Sequence, residues 1–250
     1  MLDKESSTPF FLPLKEFLSG GKKVRPALLL IVHDACGGSG NPGPAAAAIE
    51  LIHAASLIHD DIIDRSTQRR GEFSFHMKYG FEMSILVADF ILSLVLDIAS
   101  MYEDRRVGGI LSRASKLMSV GEMREVQVLK AGDPLSLDEY LEILKYKPAV
   151  LFEAATSLGA VIAGRPDISN DLGLYGLYMG MAYQIKDDLL DWGSPGELTS
   201  LLKEEGLREL LEEMANGLAA EAIEKLEVLG DTPQRDLLRD LALYSINREE

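Results

Sequence analysis

Two stretches of the same form constrain this chain more than anything else in it: Asp60-Asp61-Ile62-Ile63-Asp64 and Asp187-Asp188-Leu189-Leu190-Asp191. Each follows an apolar run with three- and four-residue spacing, so each reads as the end of a long, largely buried helix. Residues four apart on a helix share a face, which stacks Asp60 on Asp64 and Asp187 on Asp191. Carboxylates crowded at the buried end of a helix repel one another unless a cation joins them. The chain has 18 Asp among 250 residues, and chance placement gives only about 0.1 copies of such a motif. Two copies therefore argue for a purpose. Paired hard-oxygen ligands suit Mg2+, which keeps some waters and accepts phosphate oxygens as further ligands.

The remainder of the chain is helical in pattern, with almost no strand signal. A short helix over 9–19 ends at Gly20-Gly21. Pro26 suits the first turn of the next, which runs to Gly37-Gly38. Long helices follow over 44–65, 81–101 and 104–131, the last closed by Gly132-Asp133-Pro134. Ser136, with Glu139 three residues on, forms a capping box for a helix over 137–146. Helices over 147–164, 169–192, 204–229 and 232–247 complete an all-α chain, expected to be one domain spanning 1–250.

The formal charge is −15, which argues against nonspecific binding of nucleic acid or anionic membranes. Cys36 is the only cysteine, so no intrachain disulfide can form, and a cytoplasmic location is expected. The first residues lack a basic-then-apolar leader pattern. The most apolar segment, 81–101, carries Glu82, Asp89 and Asp97 and reads as a buried helix rather than a membrane span. Against this acidic background the basic clusters stand out. Lys22, Lys23 and Arg25 gather at a helix start, Arg69 and Arg70 follow the first acidic cluster, and Lys147 opens another helix. Together with two acidic clusters they suggest Mg2+–phosphate chemistry. His53, seven residues before Asp60 on the same face, reads either as a core histidine or as a ligand contact.

These residues resemble the trans-polyprenyl diphosphate synthases, the family of farnesyl and geranylgeranyl diphosphate synthases. Gly20-Gly21-Lys22-Lys23-Val24-Arg25-Pro26 is similar to the family's GGKRxRP. The segment from Glu50 to Asp64, with Arg69-Arg70-Gly71, resembles its first aspartate-rich motif. Lys147-Pro148-Ala149-Val150-Leu151-Phe152 looks like its KTAxLF, and Gly180 to Asp191 like its second aspartate-rich motif. The resemblance implies an isoprenoid synthase-type helical bundle around a deep central cavity, usually a homodimer. It implies that Asp60, Asp64 and Asp187 hold Mg2+, two or three ions that grip an allylic diphosphate. Arg69 and Lys147, with Gln184 nearby, would contact that diphosphate. Lys22, Arg25, His53 and Arg70 would hold isopentenyl diphosphate. In the family, aromatic residues one turn before the first motif stop product growth at the farnesyl length. Here that turn carries Ala55 and Ser56, so a geranylgeranyl or longer product is expected, with Ile52 and Phe90 deeper along the path.

The chain departs from the family pattern in places. Pro148 stands for the usual Thr, and Ala88-Asp89 for the usual Gly-Asp. After Asp191 there is no lysine- and glycine-rich loop. That leaves open a partner-dependent or regulatory subunit that works as a heteromer with a complete homologue. A terpene cyclase is a weaker alternative, because a second aspartate triplet replaces the metal motif expected there.

Overall fold

The computed structural model describes residues 11–193, 198–203 and 206–248. They form eleven α-helices: α1 (Phe11–Ser19), α2 (Val24–Ala35), α3 (Gly43–Ile63), α4 (Phe75–Tyr79), α5 (Phe81–Ser100), α6 (Arg105–Ala131), α7 (Leu137–Leu144), α8 (Val150–Ile162), α9 (Ser169–Leu190), α10 (Leu207–Glu224) and α11 (Pro233–Asn247). The helix ends follow local chemistry. Asp104 accepts from Arg106 N at the start of α6, and Thr232 accepts from Arg235 N ahead of Pro233. The capping box at Ser136 and Glu139 forms as expected from the sequence.

Helix α9 has almost no polar face because it is packed on several sides at once, by α8, α10 and α11. Glycines set how closely it approaches α8. A Cβ on Gly176 would fall far inside contact distance of Thr156 Oγ1 and the Phe152 carbonyl oxygen. One on Gly180 would lie 2.9 Å from the Phe152 ring. This close packing carries the second acidic cluster toward the residues around Phe152. Helices α3, α5, α6 and α8 enclose one apolar cluster around Ile49, Ile52 and Ile91. A second lies around Leu28, Phe152 and Tyr175, whose hydroxyl donates to Leu238 O at 2.8 Å.

Several expectations are adjusted. A two-residue antiparallel hairpin, β1 (Gln68–Arg69) with β2 (Glu72–Phe73), follows α3, because Arg65, Arg70 and Gly71 all take positive φ. The helices expected over 137–146 and 147–164 are joined by a widened π-helical turn at Lys145–Ala149, where Pro148 has no N–H to donate to the α-helical ladder. The helix expected over 204–229 starts at Leu207 and tightens to a 3-10 turn at Lys225–Val228; residues 204–205 lie outside those described. The segment after Asp191 lies partly outside them as well. Its described part, Leu198–Leu201, makes a 3-10 turn whose Leu201 carbonyl accepts from Leu135 N.

Helix α5 is the one described helix long and apolar enough to cross a membrane. It is only partly the buried helix expected. Val87, Ile91, Leu94 and Ile98 face the core, while Ile85, Leu86 and Leu96 lie exposed.

Candidate active site

The last turn of α3 sorts the first aspartate triplet by direction. Asp61 points inward, 1% exposed, and accepts from Arg69 Nε at 2.9 Å on both carboxylate oxygens and from Nη2 at 2.8 Å on Oδ1. Asp60 and Asp64 point the other way. Asp60 is mostly buried and its Oδ1 has no hydrogen-bond partner. Burial, reinforced by Glu122 and Glu125 and opposed by Lys147, pushes its pKa up to about 8. Burial also raises Asp64.

The second triplet repeats the arrangement. Asp188 is buried and accepts from Tyr140 Oη at 2.6 Å and Gln184 Nε2 at 2.8 Å. Asp187 is about one-third exposed, and its Oδ1 lies 2.7 Å from Nη2 of Arg248. Burial raises its pKa against the pull of Arg248. In each triplet the middle carboxylate is buried and held by internal donors, while of the outer ones Asp60 keeps an oxygen without a partner and Asp187 is paired through one oxygen with Arg248. Gln184 and Arg69, both expected at the diphosphate, direct donors at Asp188 and Asp61.

Lys147 sits in the π-helical turn within 2.7 Å of Glu122 Oε2, 2.7 Å of Glu125 Oε2 and 4.0 Å of Asp60 Oδ2. Burial works against its charge, but Glu125, Asp60 and Glu122 outweigh it and hold the pKa above the ordinary lysine value. The glutamates get there because α6 crosses this turn at Gly121, where a Cβ would lie 2.7 Å from Lys147 N. Glu122 and Glu125 were missed in the sequence. The available signal was Gly121 followed by two acids three residues apart on one face of α6.

The expected isopentenyl-site residues do converge. Lys22, Arg25, His53 and Arg70 line one open cavity of about 520 Å3 with Glu50, Phe152 and Tyr183. Arg25 lies over the Phe152 ring, 4.4 Å from its centroid, and burial lowers its pKa to about 10, so it remains charged. It feels both Glu50 on α3 and Asp187 on α9, which links the basic cavity to the second triplet. Burial and the charges of Arg25, Arg70, Arg69 and Lys23 press His53 down to about 2. Arg70 lies against Gly20 and Gly21, where a Cβ on Gly21 would sit 3.0 Å from its guanidinium. Lys23 lines the same cavity with its ammonium already engaged. In a left-handed conformation it donates to Leu18 O and Gly20 O at 2.6 Å and to Glu50 at 2.7 Å, fastening the glycine loop.

From Asp60 a second, more apolar cavity of about 250 Å3 runs back along α3 past Ser56 and Ala55 to Ile52, with Leu92 and Met118 opposite. Asp60 to Ile52 is eight residues, about 12 Å along the helix. Phe90 packs against the neighbouring core.

The polyprenyl synthetase family model matches residues 10–200. The chain belongs to that family. It is 36% identical over 181 residues to octaprenyl diphosphate synthase of Escherichia coli, a match covering 71% of this chain and 55% of that protein. It thus spans about half the length of that relative. It is 31% identical to geranylgeranyl diphosphate synthase of Methanosarcina mazei, covering 92% of this chain and 87% of the other. The crystal structure of a polyprenyl synthase from Caulobacter crescentus, complexed with calcium and isoprenyl diphosphate, superposes with a TM-score of 0.86 at 28% identity. That superposition covers 98% of this chain and 90% of the other. The helical bundle is therefore the isoprenoid synthase fold of these relatives.

This family member has the donor chemistry for a divalent cation: hard carboxylate oxygens, one of them buried and unpartnered on Asp60. Among the described residues no three His, Cys, Asp or Glu side chains converge tightly enough to hold an ion alone. An ion bound there would complete its shell with water or substrate oxygens.

Proposed function

We propose that this chain is a Mg2+-dependent trans-prenyltransferase, condensing isopentenyl diphosphate with an allylic diphosphate. The observation that carries the reading is the adjacency of three compartments: a basic cavity, a buried carboxylate oxygen of Asp60 without a hydrogen-bond partner, and an apolar groove leading away from Asp60. Asp60, Asp64 and Asp187 would hold the metal. When bound, it neutralises charge on the departing diphosphate.

Lys22, Arg25 and Arg70 bind the diphosphate of isopentenyl diphosphate, and His53 supplies a neutral imidazole beside them. Lys147, anchored by Glu122 and Glu125, directs its charge along the Asp60 side toward the allylic diphosphate. Arg69 and Gln184 act one step back, orienting the first and second triplets through Asp61 and Asp188. In the reaction the allylic C–O bond breaks and its electron pair leaves with diphosphate. The double bond of isopentenyl diphosphate then forms a C–C bond to the allylic carbon, and the proton lost passes to the released diphosphate. The protein positions the two substrates, neutralises charge and excludes water.

Small residues at Ala55 and Ser56 leave the groove open, in keeping with a geranylgeranyl or longer product. We read the protein as one cytoplasmic domain acting as a homodimer, with a second copy covering the outward face of α5. Size measurement in solution tests that assembly.

Incubation of the purified chain with Mg2+, isopentenyl diphosphate and dimethylallyl, geranyl or farnesyl diphosphate should give elongated products. Absence of turnover with every starter refutes the reading. Ala55→Phe should shorten the product. An unchanged product length would show that the tail does not pass Ala55.

A further inference from the structure

Arg248 is bound more completely than the metal reading requires. It lies just beyond α11, yet its side chain is only 4% exposed. Its Nη2 lies 2.7 Å from Asp187 Oδ1 and donates to Tyr183 O at 2.8 Å, while Nε donates to Ser245 O at 3.2 Å. The guanidinium lies over the Tyr183 ring, 3.7 Å from its centroid. A buried cation held by a carboxylate, two carbonyls and an aromatic face is a built site.

Its placement joins two compartments. Tyr183 lines the basic cavity, and Asp187 is the outer carboxylate of the second triplet. The first triplet has its own arginine nearby, Arg69 on Asp61. After Asp191 the sequence offers no Lys or Arg until Lys203, so the second triplet draws its arginine from 61 residues farther along the chain.

We propose that Arg248 is a positioning residue of the diphosphate site, orienting Asp187 for the divalent cation and holding Tyr183 as the wall between metal and basic cavity. The inference rests on the function proposed above. A group that orients a metal ligand from behind is worth 10–100-fold in metal affinity.

The test is calorimetric titration of the full chain with inorganic pyrophosphate in the presence of Mg2+, for the wild type, Arg248→Ala and Arg248→Lys. Thermal unfolding of each variant shows whether it is folded. Arg248→Ala should bind about 10–100-fold more weakly than wild type. Arg248→Lys restores the charge without the planar fork, and its affinity should fall in between. KM for the allylic diphosphate should follow the same order. Unchanged affinity in a folded Arg248→Ala overturns the proposal. Tighter binding overturns it as well, because Arg248 would then compete with the metal instead of orienting its ligand. If the alanine variant does not fold, the lysine variant decides: wild-type affinity there overturns the proposal. Failure of the wild type itself to bind would overturn the site reading, and this inference with it.

Discussion

Replacing Arg69 by Gln separates two roles that one arginine beside an aspartate motif can play. Asp61 is 1% exposed and takes three contacts from Arg69, itself 27% exposed. Removing the guanidinium strands a buried carboxylate, a change that costs about 3–5 kcal/mol for a buried pair. Because Arg69 is partly solvated, the lower end applies, about 3 kcal/mol. For a chain of this size that lowers Tm by about 6–12 °C. Asp61→Asn together with Arg69→Gln leaves no buried charge, so the double variant should recover about 2 kcal/mol relative to the sum of the single changes. Urea unfolding of the four proteins without Mg2+ measures the cycle. A loss below about 1 kcal/mol in Arg69→Gln, with KM for the allylic diphosphate raised, would refute the reasoning. Arg69 would then serve the substrate, and Asp61 would be stable without it.

His53, held near 2 by burial and four basic neighbours, should stay neutral across the working range, visible in its NMR ring shifts from pH 8 down to pH 5. The unfolded chain takes up that proton below about 6.5, so stability is intact above that pH and falls by up to about 1.4 kcal/mol per unit below it. His53→Gln should remove that share of the slope in denaturant titrations at pH 7 and pH 5; an unaltered slope would place the titration elsewhere. Gly176→Ala forces a methyl group into the backbone of α8, which should cost at least about 1–3 kcal/mol. Because α9 must move, prenyl transfer should slow too, and full activity in that variant would show that the α8–α9 spacing does not position Asp187.

Much of the architecture was legible because helices announce themselves locally. Ser136 with Glu139, and Pro26 in a first turn, mark starts that depend on near neighbours alone. The two aspartate triplets and the Lys22–Arg25 cluster likewise stand out against an acidic chain, and four of the residues singled out converge on one cavity. The partition within each cluster was not legible. An Asp-Asp-x-x-Asp run says which residues share a face. It does not say which face meets Arg69 or Tyr140, and that contact makes Asp61 and Asp188 internal anchors, while Asp60 keeps an unpartnered oxygen and Asp187 turns to Arg248. The same holds for Lys22 and Lys23, adjacent in sequence, of which only Lys23 folds back onto the carbonyls of its own loop.

The sequence by itself determined most of the helices, the capping box at Ser136 and the stock of charged groups, because those depend on residues within a few positions of one another. The tertiary structure alone decided the pairings: Lys147 with Glu122 and Glu125, Arg25 between Glu50 and Asp187, and Arg248 on Asp187. Those partners lie tens of residues apart. Lys147 meets its glutamates where Gly121 lets α6 cross the π-helical turn closely, and Gly176 and Gly180 let α9 pack close against α8.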